Sequence, residues 1–235
     1  MSQSVVPPAR RSTARTAGER SNSRGEATRA AILMAAERLF AERGIAAVPL
    51  RDIGIAAGQR NHAVVQYHFG ERTQLIHEIL ELRGAASEVR RAAMVADLAL
   101  SKTRPEVRDI VGAFVWPLAI HLEEDNHYLA FLSRFITEEG GYEGLSDTGV
   151  IHAGVSVGTL RTLVGRLAPG IPEPVLDERW WVTLTSAVHT LARYQSTQRK
   201  RAHLPAPVEV LLDDLVTFLS AGLVAPLVDT DPRGR

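Results

Sequence analysis

The chain has 235 residues, of which 45% are hydrophobic and 23% charged, an ordinary balance for a globular protein. It contains no cysteine, which excludes disulfides, cysteine nucleophiles and thiolate metal sites. No apolar run reaches the roughly 18 residues of a membrane span, and the first residues lack the apolar core of a secretory signal. We therefore expect a cytoplasmic protein with no membrane partner.

Charge is divided unevenly along the chain, although the formal net charge is zero. Residues 1–70 hold ten arginines, no lysine and five acidic residues, so this segment carries +5 and the remainder carries −5. A basic segment on an acidic body favours a polyanion as the partner of the N-terminal part. The alternative is a solvated tail, because four of these arginines lie within residues 1–20.

The first part of the chain changes character after residue 22. Residues 1–22 are rich in Ser, Thr, Pro and Arg without periodic apolar positions, which predicts a disordered basic arm that either contacts DNA or only solubilises the chain. Ser23 and Glu26 fit a capping box, which predicts a helix start. Gly44 is predicted to end this helix in a left-handed conformation. The predicted buried face holds Ile32, Ala35, Ala36, Leu39 and Phe40.

The sequence of residues 51–69 predicts two short helices around a tight turn. Gly58 breaks the first helix, and Asn61 can cap the second because its side-chain oxygen can accept an N–H two or three residues further on. The second helix runs to Phe69 and carries polar side chains suited to base edges. A helix-turn-helix places the start of its second helix in the major groove of DNA. We therefore predict a DNA-binding headpiece over residues 23–72.

Apolar spacing predicts helices through the rest of the chain, with no strand-like alternation. Thr73 begins a long connecting helix, Pro105 opens another that Pro117 should kink, and residues 140–149 form a loop. Further helices are predicted over residues 128–136, 151–167, 175–200 and 207–223. The fold class is therefore all-α, with a three-helix headpiece followed by a larger C-terminal helical domain over residues 73–228.

The last two helices predict a two-fold dimer. Trp180 and Trp181 are adjacent and so point about 100° apart on a helix, which leaves one of them free to face a partner. The last helix is apolar over most of its girth, as expected for burial on two sides. A larger monomer core is the alternative. The predicted four-helix interface comprises Trp181, Val188, Leu211, Leu215, Phe218, Leu219 and Gly222.

The sequence contains no recognisable catalytic set. The glycines at 140, 141 and 144 lack the Lys-Ser/Thr sequel of a phosphate loop. His121, Glu124, Asp125 and His127 are candidate metal ligands, but their spacing does not place them on one helical face. We therefore predict a protein that is not an enzyme and uses no cofactor and no metal.

Residues between 25 and 80 resemble, in order and spacing, the TetR family of bacterial transcription repressors. The matching residues are Thr28-Arg29, Ile32-Leu33, Ala35-Ala36, Leu39-Phe40-Ala41-Glu42, Gly44, Leu50-Arg51-Asp52-Ile53, Ala57-Gly58, Tyr67-His68-Phe69-Gly70, Arg72 and Leu75. The rest of the chain matches the family only in its helical pattern. The resemblance implies a nucleoid-bound homodimer on a palindromic double-stranded operator, released by a small hydrophobic or amphipathic effector.

The resemblance also implies which residues contact DNA. They are Arg51, Arg60, Asn61, His62, Ala63, Val64, Gln66, Tyr67, His68 and Arg72. His62 and Gln66 are expected to read bases, because imidazole can donate to guanine acceptors and a Gln amide can pair with adenine. Tyr67, His68 and Arg72 are expected to contact phosphates. The alternative for Tyr67 and His68 is a place in the headpiece core.

The chain departs from the family's pattern at the helix-turn-helix. One extra residue lies between Gly58 and Asn61, Gly54 replaces the usual Ala, and Arg72 replaces the usual Lys. Residues 48 and 49, Val-Pro, replace the usual Ser or Thr cap of the second helix. The extra residue leaves open which side chains reach bases, and Arg60 could use it to reach a phosphate.

An effector pocket in the middle of the chain is a further implication of the resemblance. Its candidate residues are Phe114, Trp116, His121, Tyr128, Phe131, Phe135, His152 and Leu160. Apolar walls with a few polar groups suit a small molecule, but the same residues could simply pack the core. Two other functions stay open: a DNA binder without a small-molecule ligand, and a helical ligand-binding or scaffold protein that has lost DNA binding.

Overall fold

Helices and the turns between them make up the described part of the chain, residues 17–61, 63–140 and 151–227 of this computed structural model, and no strand occurs there. The predicted all-α fold class is confirmed. In chain order the helices are α1 (Ala17–Arg43), α2 (Leu50–Ala56), α3 (Val64–Phe69), α4 (Arg72–Leu100), α5 (Val107–Ala119), α6 (Tyr128–Glu138), α7 (Ile151–Leu167), α8 (Glu173–Arg199) and α9 (Val208–Leu223). A 3₁₀ turn, Ile120–Leu122, follows α5.

Helix α1 begins earlier than predicted. It starts at Ala17, upstream of the capping box expected at Ser23, so residues 17–22 belong to a helix rather than to the predicted disordered arm. No proline lies between Pro8 and the start of the apolar face, so the helix can propagate upstream. The expectation for residues 1–16 lies outside the described residues. Gly44 takes a φ of +90° directly after Arg43, as predicted for a helix end.

The headpiece core forms where α1 meets α2, α3 and the body. Ile32, Ala36 and Phe40 of α1 are fully buried. The Phe40 ring stacks on Phe131 of α6 with centroids 6.2 Å apart, so the headpiece and the body share one continuous core. This shared core fixes the headpiece against α6.

Helix α5 lies at the centre of the body. Nearly all of its residues from Ile110 onward are buried, and a capping box between Glu106 and Asp109 closes its start. Pro117 lies in the last turn, and the chain continues directly into the 3₁₀ turn. The helices α7 and α9 pack beside α5, and α8 packs against α6. The loop predicted over residues 140–149 lies almost wholly outside the described residues.

No helix in the described ranges is long and apolar enough to cross a bilayer.

Candidate nucleic-acid interface

Helix α3 has an anchored side and an open side. Val65 and Phe69 are buried in the headpiece core, and the Arg29 guanidinium covers the Phe69 ring at 5.0 Å. Gln66 is exposed and the Tyr67 side chain is 85% exposed. Because Val65 and Phe69 pack α3 against the headpiece core, Gln66 and Tyr67 on its other side face solvent.

The turn before α3 absorbs the extra residue. Gly58 takes a φ of +71° and closes α2, with the Gln59 N–H donating to the Gly54 carbonyl at 3.0 Å. The Asn61 side-chain oxygen accepts the N–H of Ala63 at 3.0 Å, as predicted for an acceptor two residues back. The helical residues begin only at Val64, with Ala63 in the N-cap position, so Asn61 caps the turn rather than the helix itself.

Most of the candidate DNA-contacting residues share the outer surface of this turn and helix. The exposed ones are Arg51, Arg60, Asn61, Ala63, Gln66 and Tyr67. Val64, His68 and Arg72 are half-buried, and His62 lies outside the described residues. The Tyr67 ring stands edge-on to His68 with centroids 5.1 Å apart. The exposure of Tyr67 argues against its alternative place in the headpiece core.

Arg72 faces inward as well as outward. Its Nη2 donates to the Val48 carbonyl at 3.0 Å, which ties the start of α4 to the loop before α2. Its Nε is buried without a hydrogen-bond partner in the described part of the chain. Arg72 therefore positions the headpiece, and a phosphate contact would use Nη1 or the second N–H of Nη2. Nothing in the sequence predicts the contact between Arg72 and the Val48 carbonyl.

Two carboxylates join the headpiece to the body. Glu37 of α1 is buried, accepts from Arg83 Nε of α4 at 2.7 Å and accepts the backbone N–H of His127 at 2.5 Å. Glu138 of α6 accepts the backbone N–H of Ile45 at 2.7 Å. Neither residue was predicted from the sequence, because nothing local marks a carboxylate whose partners lie up to 93 positions away.

Most of the candidate pocket residues are buried side chains, whereas Trp116 lines a surface groove beside α9. Phe114, His121, Tyr128, Phe131, Phe135 and Leu160 are buried, Trp116 is half-buried, and the side chain of His152 lies outside the described residues. Ring centroids of Phe131 lie 6.4 Å from those of Tyr128 and Phe135. This packing is that of a core, the alternative left open by the sequence.

His121 is the polar centre of this aromatic cluster. Its Nε2 shares a hydrogen bond with Ser87 at 3.0 Å, and its Nδ1 lies 3.2 Å from Glu124. Burial lowers the pKa of His121 below its ordinary value of 6.5, although Glu124 opposes this shift. Among the described residues, no three His, Cys, Asp or Glu side chains come together as metal ligands.

The predicted dimer residues divide between the core and the surface. Val188, Leu215 and Leu219 are buried within the protomer, and their place in a dimer interface stays a prediction. Trp181 and Leu211 are half-buried, Gly222 is exposed, and Phe218 is 72% exposed. Sequence analysis missed Val182 and Val210, two further exposed apolar side chains of α8 and α9.

Comparison with known proteins identifies the headpiece. Residues 32–79 match the sequence profile of bacterial regulatory proteins, tetR family. An HTH-type transcriptional repressor of Mycobacterium tuberculosis (strain ATCC 25618 / H37Rv) is 49% identical over 59 residues, which are 25% of this chain and 31% of that protein. A regulator of Mycobacterium bovis matches to the same extent. The match thus spans about a third of the length of these curated relatives.

Solved structures match over most of the chain at low identity. NalD, the secondary repressor of the MexAB-OprM multidrug efflux pump in Pseudomonas aeruginosa, is 20% identical with a TM-score of 0.55, and the match covers 87% of this chain and 100% of that one. A TetR family transcription regulator from Marinobacter aquaeolei VT8 is 14% identical with a TM-score of 0.54, over 86% and 97%. At these identities the likeness shows a shared all-α fold. Over residues 32–79, this chain is similar to bacterial regulatory proteins of the tetR family.

Proposed function

We propose that this protein binds a specific double-stranded DNA sequence through α2 and α3 and represses transcription there. The observation that carries the proposal is the two-sided α3, which buries Val65 and Phe69 and presents Gln66 and Tyr67 to solvent. Gln66 would pair with an adenine edge, whereas Tyr67 and Arg60 would contact phosphates. The repressor name of the matched mycobacterial relative supports repression rather than activation.

The proposed binding species is a homodimer on a palindromic operator. Two headpieces related by a two-fold axis would occupy half-sites separated by about one helical turn of DNA or a multiple of it. Exposed apolar side chains on α8 and α9, among them Val182, Val210 and Phe218, supply a surface for the second copy. DNA binding would place the dimer on the nucleoid in the bacterial cytoplasm.

Release by a small hydrophobic or amphipathic effector is part of the proposal. The aromatic cluster around Phe131, with His121 as its polar member, has the chemistry of an effector site once it opens. An effector can act only if it binds one arrangement of headpiece and body better than the other. The close packing of the same cluster favours a second candidate, a DNA binder without a small-molecule ligand.

A mobility-shift assay on the DNA upstream of the gene tests the proposal. The purified protein should retard a specific fragment in the presence of excess nonspecific DNA, and Gln66→Ala should reduce that preference by about tenfold, the effect of one base contact. Gln74→Ala, an exposed change outside the turn and α3, is the matched control. If the protein binds no DNA, the scaffold alternative is correct. Thermal shift against a metabolite panel then separates the ligand-regulated repressor from the ligand-free binder.

A further inference from the structure

A groove of about 400 Å³ separates the headpiece from the body on the side of α1. One wall comes from α1 and the end of α2, and the other comes from α4, the turn before α6 and the end of α8. None of the residues that line this groove belongs to the aromatic cluster around Phe131. A ligand in this groove would therefore contact both the headpiece and the body.

Part of the headpiece wall is apolar. Ala31 and Met34 of α1 and Ala56 of α2 line it, and the Met34 side chain is 58% exposed. A methionine adapts its shape to irregular apolar ligands, because its side chain is unbranched and polarizable. An exposed methionine beside alanines is thus a suitable contact for a short hydrocarbon chain.

The charged residues that line the groove are three arginines and two carboxylates, Glu37 and Asp125. Arg83 already neutralises the Glu37 carboxylate. Arg38 is half-buried and forms no ion pair with any described residue. Arg199 donates Nη1 to the Asn126 carbonyl at 2.6 Å, and its Nη2 lies 4.0 Å from Asp125, whose side chain is fully exposed. Arg38 thus keeps all its donors for a ligand, whereas Arg199 shares its charge with Asp125, which also lines the groove.

The charges of these arginines affect the pKa of the neighbouring His127 imidazole. Burial lowers the pKa of His127, and the charges of Arg199 and Arg38 lower it further against Glu37 and Glu42. His127 lines the groove too, and an anion placed there would meet one more arginine than carboxylate among the charged lining residues.

We infer that this groove binds a small amphipathic carboxylate. The carboxylate lies between Arg38 and Arg199, and the apolar chain lies along Met34, Ala31 and Ala56. Such a ligand touches α1 and α2 of the headpiece together with the end of α8, so it holds the headpiece against the body. Because binding free energies are coupled reciprocally, it also changes DNA affinity if the proposed function is correct.

Titration calorimetry on the full chain without DNA tests the inference, with octanoate as the probe and 1-octanol as its neutral counterpart. We expect octanoate to bind and 1-octanol to bind at least tenfold more weakly. Arg38→Gln and Arg199→Gln should each weaken octanoate binding by about tenfold, the effect of one charge-assisted hydrogen bond. Arg199→Lys should restore part of the loss, and Arg166→Gln, an exposed change on α7, should have no effect.

Two results would overturn the inference. One is equal affinity for octanoate and 1-octanol, which would mean that the charge of the groove plays no part. The other is octanoate binding that survives both Arg38→Gln and Arg199→Gln, which would place the ligand in the aromatic cluster instead. Both readouts are independent of DNA binding, so failure here and failure of the proposed function are distinguishable.

Discussion

Arg83 of α4 donates its Nε to the buried carboxylate of Glu37 in α1 at 2.7 Å, and this bond joins the headpiece to the body. The same carboxylate accepts the N–H of His127, so one side chain holds three segments together. Because three segments meet at its carboxylate, Glu37 is expected to contribute more to stability than its place in the sequence suggests.

We expect Glu37→Gln to lower the free energy of unfolding by about 2 kcal/mol, because it removes a hydrogen bond to a charged partner and leaves Arg83 without its counter-ion. Urea unfolding at neutral pH measures the change. Glu81→Gln, an exposed carboxylate on α4, is the control and should stay within about 0.5 kcal/mol of the parent. A Glu37→Gln variant as stable as the Glu81→Gln variant would contradict the assignment.

Gly44→Ala tests the junction between α1 and the loop before α2. Gly44 has a φ of +90°, and an added Cβ would lie 2.7 Å from Glu138 Oε1. Left-handed backbone costs other residues about 1–2 kcal/mol, and displacing Glu138 weakens its bond to Ile45. Thermal unfolding should therefore show a lower midpoint. Gly158→Ala, in open space on α7, should raise it by removing a flexible helix glycine.

Acid should destabilise the protein before its carboxylates titrate. The pKa of His121 is lowered in the folded state, so the unfolded chain binds this proton more tightly and stability falls as pH drops below 6.5. His127 shifts in the same direction and adds to the slope. Urea unfolding between pH 7.5 and 5.5, a range chosen around that value, should show this loss. His121→Gln should reduce the slope, whereas His203→Gln, an exposed change, should leave it unaltered.

Arg60→Ala should weaken binding to specific and nonspecific DNA alike. Arg60 is exposed in the turn before α3, and a phosphate contact contributes affinity without sequence preference. The plot of log affinity against log salt should lose about one unit of slope for one lost contact. Fluorescence anisotropy over a salt series measures both quantities. An unchanged slope would show that the extra residue of this turn does not reach the backbone.

Phe218→Ser should shift the protein from dimer to monomer. Phe218 is 72% exposed on α9, and an apolar side chain of this size in water is suited to a partner surface. Sedimentation at micromolar concentration should show the dimer for the parent chain and for Leu82→Ser, an exposed apolar control on α4. A parent chain that sediments as a monomer would contradict the proposed dimer and the half-site geometry that depends on it.

The sequence by itself determined the all-α fold class, the helix end at Gly44, the break at Gly58 and the acceptor role of Asn61. Each depends on residues within a few positions of one another, where glycine conformation and side-chain capping act directly. The resemblance of residues 25–80 to the TetR family was also visible in the sequence, because the matching residues keep a fixed local spacing.

Only the tertiary structure decided which face of each amphipathic helix is covered. The apolar arc of α9 contains Leu215 and Phe218 with equal hydrophobic character, yet Leu215 is buried and Phe218 is exposed, since α5 and α8 pack on one side alone. In the same way, Arg72 turns to the Val48 carbonyl and Glu37 to Arg83, because those partners arrive from distant segments. Contacts of this kind depend on how elements dock, and spacing along the chain does not encode them.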